Sequence, residues 1–120
     1  MKIRRETLRF MLEAARSCHP REFSGVLRAR EGAIAEILLL PGTVWSERGA
    51  AMNLRMLGID PSVCGSVHSH PTGSSAPSPE DLRFFDKFGS IHIIIAHPYT
   101  EGSWKAYNHR GEEISLEVIE

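Results

Sequence analysis

The sequence has little cysteine, no long apolar run and no excess of charge of either sign. Its two cysteines, Cys18 and Cys64, are too few for a disulfide scaffold and lack the CxxC spacing of a thiolate metal site or redox pair. Both are predicted to be small buried side chains. The longest apolar runs, at 37–40 and 93–96, fall far short of the roughly 20 residues that cross a bilayer. No signal-peptide core follows the basic start of the chain, so a cytoplasmic protein without a membrane partner is predicted.

Charge and length limit the possible partners and the number of domains. Lys and Arg total 14 and Asp and Glu total 15, which leaves a net charge of -1 at pH 7. No summed field attracts nucleic acid or anionic lipid, so neither is predicted as a partner. The 120 residues fit a single domain, 1–120, that buries about two-thirds of its unfolded-chain surface.

Hydrophobic periodicity predicts an α/β protein of the α+β type, in which two helices cover a mixed, largely antiparallel sheet. A hairpin is predicted around Glu31-Gly32. Helices are predicted at 5–17 and 79–88, and strands at 23–30, 33–40, 51–57, 63–70, 91–96, 103–108 and 112–120.

One stretch, 67-VHSHPTGSSAPSPEDL-82, carries the chemistry. His68 and His70 alternate on a predicted strand, so their side chains point to the same side. Asp81 lies in the first turn of the next helix, and the Gly/Ser/Pro loop allows that helix to fold back over the strand end. Two imidazoles and one carboxylate suit a single Zn²⁺ ion and leave the fourth tetrahedral position open for water, which is typical of a catalytic site.

A hydrolytic zinc site also needs a group that moves protons, because the attacking water loses a proton and the leaving amine gains one. Glu22, in the polar turn before the first long strand, is the candidate for this role. Ser78 is the candidate for stabilising the oxyanion of the tetrahedral intermediate through its hydroxyl.

Each residue has a purely structural alternative. Ser78 and Asp81, with Pro79 between them, also match the start of a helix with an N-cap and a capping box. Glu22 is compatible with a solvated turn, and the histidine pair with partly buried strand positions. Capping and catalysis are compatible at Ser78, so the residues alone leave these alternatives open. The remaining histidines are interpreted as ordinary: His19, His92, His97 and His109.

The combined pattern resembles a known family. Pro20-x-Glu22-x-x-Gly25-x-Leu27, Gly65-x-x-His68-Ser69-His70-Pro71 and Ser78-x-x-Asp81 together are similar to the JAMM motif of the MPN-domain metallopeptidases. The likeness extends to 91-IHIIIAHPYTEGSWKAYN-108, which is similar to the strand pair that follows the motif helix in small prokaryotic, notably archaeal, members.

The resemblance implies a cytidine-deaminase-like fold and one zinc ion per chain held by His68, His70 and Asp81. It also implies Glu22 as general acid/base and Ser78 as the residue that stabilises the transition state. The implied activity is deubiquitinase-like: cleavage of a peptide or isopeptide bond after the C-terminal Gly-Gly of a ubiquitin-like modifier or sulfur-carrier protein.

This chain departs from the larger members in lacking the two insertions that hold ubiquitin, which leaves only the segment 44–56 for the substrate tail. A zinc deaminase is excluded because the sequence has neither His-x-Glu nor Pro-Cys-x-x-Cys. Two alternatives stay open, a non-catalytic MPN-type scaffold and a metal-binding protein without turnover. A monomer and a homodimer are both compatible with the sequence.

Overall fold

A computed structural model describes residues 1–40 and 60–120 of the chain. The strand predicted at 51–57 and the segment 44–56 lie outside these described residues. The helices are α1 (Arg5–Cys18) and α2 (Pro79–Phe85). The strands are β1 (Lys2–Arg4), β2 (Ser24–Arg30), β3 (Ala33–Leu40), β4 (Val63–His70), β5 (Ile91–Ala96), β6 (Trp104–Tyr107), β7 (Glu113–Ile114) and β8 (Glu117–Ile119).

The eight described strands form one mixed sheet in the order β7-β6-β5-β4-β2-β3-β1-β8. Its four antiparallel pairs are β2/β3, β2/β4, β5/β6 and β6/β7. Its three parallel pairs are β4/β5, β1/β3 and β1/β8. The predicted α+β class with a mixed, largely antiparallel sheet is thus confirmed. The predicted hairpin is also present, and Glu31 and Gly32 at its tip both have the positive φ that a tight hairpin turn requires.

The sheet is strongly curled, as the pairing of the last two strands, β7 and β8, shows. β7 pairs with one edge of the sheet and β8 with the other, although only two residues separate them. Three Cα steps span at most about 11 Å, so the two edges approach one another. The sequence predicted one continuous strand over 112–120; that prediction is wrong because the two halves pair with different neighbours.

The main core lies on the face of this sheet that α1 covers. α1 buries one face there, through the positions that its apolar spacing predicts: Leu8, Met11, Leu12 and Ala15. These side chains pack against Ile3 of β1, which the sequence analysis missed because a three-residue strand is too short for its alternation to be read. Both cysteines are free thiols that pack, partly buried, against the same core.

The opposite face of the sheet carries α2. Phe85 of this helix is fully buried and packs against Ile94 and Tyr107 in a second, smaller cluster. The predicted extent of α2 to residue 88 is wrong by one turn, because Gly89 with its φ of +73° redirects the chain into β5. Among the described residues, neither helix has the length and apolar composition that a bilayer crossing requires.

Candidate metal centre

β4 lies inside the sheet, between β2 and β5, and presents two histidines at its carboxyl end. Alternation along the strand places His68 and His70 on the α2 side. Val67, the residue before His68, points the other way and belongs to the core on the α1 side. His68 is only 4% exposed and pairs in register with Ser24 of β2 and Ile94 of β5. The ring of Phe85 closes one side of the site, with its centroid 6.4 Å from that of His68.

α2 brings the carboxylate to the histidines through its first turn. The Ser78 side chain accepts a hydrogen bond from the Asp81 backbone N–H at 3.1 Å, and Asp81 Oδ2 accepts one from the Ser78 N–H at 2.8 Å. This reciprocal pair is a capping box, with Pro79 in the first turn. The structural alternative for Ser78 and Asp81 is therefore present. It coexists with the metal-ligand geometry because the same carboxylate also faces the imidazoles.

The three side chains converge on one point. His68 Nε2 lies 3.1 Å from His70 Nε2 and 3.1 Å from Asp81 Oδ1, and His70 Nε2 lies 3.2 Å from the other carboxylate oxygen, Asp81 Oδ2. Ligands about 2.0–2.1 Å from a zinc ion in a tetrahedron are about 3.3 Å apart, close to the separation of the two imidazole nitrogens. With one ligand atom taken from each residue, all three atoms lie within 4.8 Å of one another. Among the described residues, this is the group of His, Cys, Asp or Glu side chains that converges in this way.

The hydrogen bonds and charges of the site favour positive charge at this point. His70 Nδ1 lies 3.0 Å from the Ser74 carbonyl oxygen, which only accepts, so Nδ1 carries a proton in both the neutral and the protonated ring. Loss of the Nε2 proton therefore presents the Nε2 lone pair to the site. Burial raises the pKa of Asp81, but hydrogen bonds from the two imidazoles outweigh it and hold that pKa far below its usual range. The hydrogen bond to Asp81 in turn raises the pKa of His70. An ionised carboxylate thus favours positive charge between itself and the two rings.

One nitrogen of the histidine pair, His68 Nδ1, is buried and has no hydrogen-bond partner among the described residues. It points away from the proposed ligand contact, which Nε2 makes, so it does not distinguish a structural histidine from a metal ligand. The polar contacts of His68 are all made by Nε2, toward His70 and Asp81. This donor set and its spacing are consistent with one zinc ion.

Glu22 lies at the rim of the same site. Glu22 lies two residues before Ser24, at the point where the antiparallel β2/β4 ladder ends with Ser24 opposite His68. Its negative charge contributes to the raised pKa of His70. Its side chain is exposed, as befits a group that reaches a reaction from solvent.

Ser78 is also exposed, at the N-cap of α2. Its described side-chain partner is the Asp81 amide, so its hydroxyl is not in hydrogen-bonding contact with either imidazole among the described residues. Ser78 is thus three residues before Asp81, at the predicted start of α2.

A buried polar pair behind the site was missed by sequence reasoning, which interpreted His92 as ordinary. His92 is fully buried, and its ring stacks on Phe85 at 4.3 Å and 9°. Its Nδ1 lies 2.7 Å from Ser66 Oγ and its Nε2 lies 3.3 Å from the Gly89 carbonyl oxygen. The pair supports the helix that carries Asp81. The parallel register of Ser66 with His92 brings them together, and no short motif signals such a pairing.

Comparison with known proteins gives the same picture. The family described as prokaryotic homologs of the JAB domain matches residues 4–109. A "Probable metalloprotease" from Haloferax volcanii is 36% identical over 125 residues, which covers 96% of this chain and 77% of that protein.

Two solved structures are similar over the whole chain. The crystal structure of a JAB1/MPN domain protein from Archaeoglobus fulgidus has a TM-score of 0.83 and 45% identity and covers 100% of both chains. A structure described as JAMM, a metalloprotease-like zinc site in the proteasome and signalosome, has a TM-score of 0.81 and 43% identity, with 100% of this chain and 98% of that one covered. On this sequence and structural similarity, the chain belongs to the prokaryotic JAB-domain family of JAMM/MPN metalloprotease-like proteins.

Proposed function

We propose that this chain is a zinc-dependent metallopeptidase that cleaves the peptide or isopeptide bond after the C-terminal Gly-Gly of a ubiquitin-like modifier or sulfur-carrier protein. The observation that carries the proposal is the convergence of two imidazole nitrogens and the Asp81 carboxylate at 3.1–3.2 Å, with the charge of Glu22 acting on one of the imidazoles. The metalloprotease name of the Haloferax volcanii relative and the JAMM zinc site described for a similar structure support it.

In this proposal His68 and His70 hold the ion through Nε2 and Asp81 holds it through its carboxylate. When bound, zinc supplies Lewis-acid chemistry, which polarises the scissile carbonyl and makes water a stronger nucleophile near neutral pH. The Glu22 carboxylate takes a proton from the attacking water and delivers it to the nitrogen of the leaving amine. Its side chain is exposed and has no hydrogen bond or ion pair within residues 1–40 and 60–120, which leaves it free to make both transfers.

Ser78 contributes a hydrogen bond to the developing oxyanion. One lone pair of its hydroxyl oxygen is used by the Asp81 N–H, and in the described part of the chain no acceptor takes the hydroxyl hydrogen, which can therefore donate. A donor aimed at the position where negative charge develops stabilises the transition state more than the substrate.

The preference for Gly-Gly follows from how deep the ligands lie. The side chains of His68, His70 and Asp81 are 5%, 15% and 17% exposed, so a scissile carbonyl reaches them only if the substrate backbone approaches closely. Glycine permits that approach because it has no Cβ. The segment 44–56, outside the described residues, is proposed to hold the tail as an added strand through main-chain hydrogen bonds.

The test compares the wild-type chain with Glu22→Gln for zinc content and for cleavage of a Gly-Gly-linked ubiquitin-like fusion. Glu22→Gln should keep one zinc per chain and lose about 100-fold or more of the cleavage rate, since only proton transfer is removed. Glu31→Gln is the matched control. It removes the charge of another exposed glutamate, in the turn that follows the far end of β2, and it should leave both readouts unchanged.

Other outcomes of this test would indicate a different function. Zinc binding without cleavage would indicate a metal-binding module, and absence of both would indicate a scaffold. If Glu22→Gln also emptied the metal site, the assignment of Glu22 as a proton-transfer group outside the ligand set would be wrong.

A further inference from the structure

The catalytic use of Glu22 requires that its turn be held at a fixed distance from the metal ligands. Among the described residues the Glu22 side chain forms no hydrogen bond or ion pair, and it is exposed. Its position is therefore determined by the backbone of the turn between α1 and β2, residues 19–23. A displacement of about 1 Å in a catalytic group costs up to about 100-fold in rate, so whatever holds this turn matters for the reaction.

The β2 end of the turn is held by Ser69, the residue between the two histidines. The Phe23 N–H donates to Ser69 Oγ at 2.8 Å, and the Ser69 N–H donates to the Phe23 carbonyl at 2.9 Å. Ser69 is fully buried. This end of the turn is thus attached directly to the ligand strand.

The α1 end is held by a buried tyrosine from a distant part of the chain. His19 Nδ1 lies 2.7 Å from the hydroxyl oxygen of Tyr99, 80 positions away in sequence. The ring of His97 stacks on that of His19, with centroids 4.8 Å apart and planes 25° apart. Tyr99 itself is 2% exposed, so its hydroxyl is a fixed point against which the exposed His19 is positioned.

Tyr99 belongs to a turn that is also bonded to the metal-binding strand. The His97 N–H donates to the His70 carbonyl at 3.2 Å, and the Tyr99 N–H donates to the Ala96 carbonyl at 2.8 Å. Arg16 of α1 donates to the Tyr99 carbonyl at 2.7 Å. Tyr99 has a φ of 63°, a conformation that is costly for a bulky residue and persists only where the surroundings impose it. The turn 96–99 therefore contacts both the strand of His70 and the helix end that precedes Glu22.

We propose that Tyr99 is a positioning residue for Glu22. Through its contact with His19, the Tyr99 hydroxyl fixes the distance between the turn that carries Glu22 and the strand that carries His68 and His70. The inference rests on the proposed function and names a residue that neither contacts substrate nor binds the metal. Ser69 fixes one end of the Glu22 turn and Tyr99 the other, and both contacts lead to the same strand end.

The test is Tyr99→Phe, which removes the hydroxyl and keeps the buried ring. We expect kcat for cleavage of the Gly-Gly fusion to fall by about 10- to 100-fold, with KM within about twofold and zinc content unchanged. The matched control is Thr7→Val. Thr7 is also buried and donates one hydroxyl hydrogen bond, to the Ala35 carbonyl at 2.8 Å, but it lies at the other end of α1. Thr7→Val should leave kcat unchanged.

The second readout is amide hydrogen exchange of the metal-free protein, which needs no activity. The Arg21 amide donates to the Cys18 carbonyl at 2.8 Å within the Glu22 turn. Its hydrogen exchange should accelerate about 10-fold in Tyr99→Phe and stay unchanged in Thr7→Val, because only the first variant loosens the turn. Equal Arg21 exchange in wild type and Tyr99→Phe would overturn the inference.

A double mutant separates positioning through Glu22 from a general structural role. If Tyr99 acts through Glu22, adding Tyr99→Phe to Glu22→Gln leaves the residual rate unchanged. If it lowers that rate by the same factor as in the wild type, the inference is wrong. A wild-type chain that cleaves no Gly-Gly fusion refutes the proposed function. A chain with Glu22-dependent cleavage and an unaltered kcat in Tyr99→Phe refutes the positioning role alone.

Discussion

Acidification should destabilise this protein through His92, the buried imidazole behind the metal centre. The Gly89 carbonyl can only accept, so Nε2 of His92 carries the proton and Nδ1 accepts from the Ser66 hydroxyl. The neutral ring thus satisfies both nitrogens. Burial is the main cause that lowers the pKa of His92 from its ordinary 6.5 to about 4.

The sign and size of the change in unfolding free energy follow from the pKa of His92 in the unfolded and in the folded chain. Between pH 6.5 and pH 4 the unfolded chain binds a proton at His92 that the folded chain does not bind, so the free energy of unfolding falls as the pH falls. A separation of about 2.5 pH units, at about 1.4 kcal/mol per unit, corresponds to a loss of about 3 kcal/mol by pH 4 and about 2 kcal/mol by pH 5. That is a large share of the 5–15 kcal/mol typical of a domain.

The assay is urea unfolding of the metal-free protein at pH 7, 6, 5 and 4, compared with the double variant Ser66→Ala/His92→Phe. This variant keeps a ring against Phe85 and removes both partners of the buried hydrogen bond together, which avoids leaving either one unpaired. The other titrating groups are present in both proteins, so the difference between the two pH profiles is assigned to His92.

We expect the wild type to lose about 3 kcal/mol more than the double variant between pH 7 and pH 4. Parallel profiles would refute the reasoning, because they would mean that His92 has the same pKa in the folded and unfolded chain. A wild type that gained stability relative to the variant on acidification would mean that the folded state favours the protonated ring.

Two further predictions concern the metal centre and the sheet. Alanine at any of the three ligand positions should abolish stoichiometric zinc binding, measured as metal content after gel filtration, because two remaining ligands no longer define the site. Gly65→Ala should cost at least about 3 kcal/mol of unfolding free energy in a urea titration, since its Cβ would lie 1.5 Å from the Ile91 carbonyl oxygen of the neighbouring strand. Gly73→Ala, where the Cβ meets nothing within 4 Å, is the control and should change stability by less than about 0.5 kcal/mol.

The convergence of His68, His70 and Asp81 could be predicted from sequence because the three residues are local. His68 and His70 are two residues apart on one strand, and Asp81 follows within one loop and the first turn of a helix. Strand alternation and helix capping are short-range rules, and they give the orientation of each side chain directly. The amphipathic spacing of α1 is local in the same sense and was predicted nearly to the residue.

The supporting contacts could not be predicted because they depend on pairing between distant segments. β1 and β8 pair in parallel with Lys2 opposite Glu117, and no periodicity in either segment specifies the other. The same holds for His19 with Tyr99, and for the approach of Glu22 to His70, which depends on the pairing of β2 with β4. Cellular location, oligomeric state and the extent of the domain stay predictions.

One oxygen atom of Asp81 takes part in both the helix cap and the histidine cluster. Its Oδ2 accepts the Ser78 N–H that begins α2 and also lies 3.2 Å from His70 Nε2. A descendant of such a protein that had lost its chemistry would still gain folding stability from this aspartate. An acid at the corresponding position of another chain is therefore weak evidence for a working centre, and a vestigial enzyme is better diagnosed from the histidine pair and the glutamate of the preceding turn.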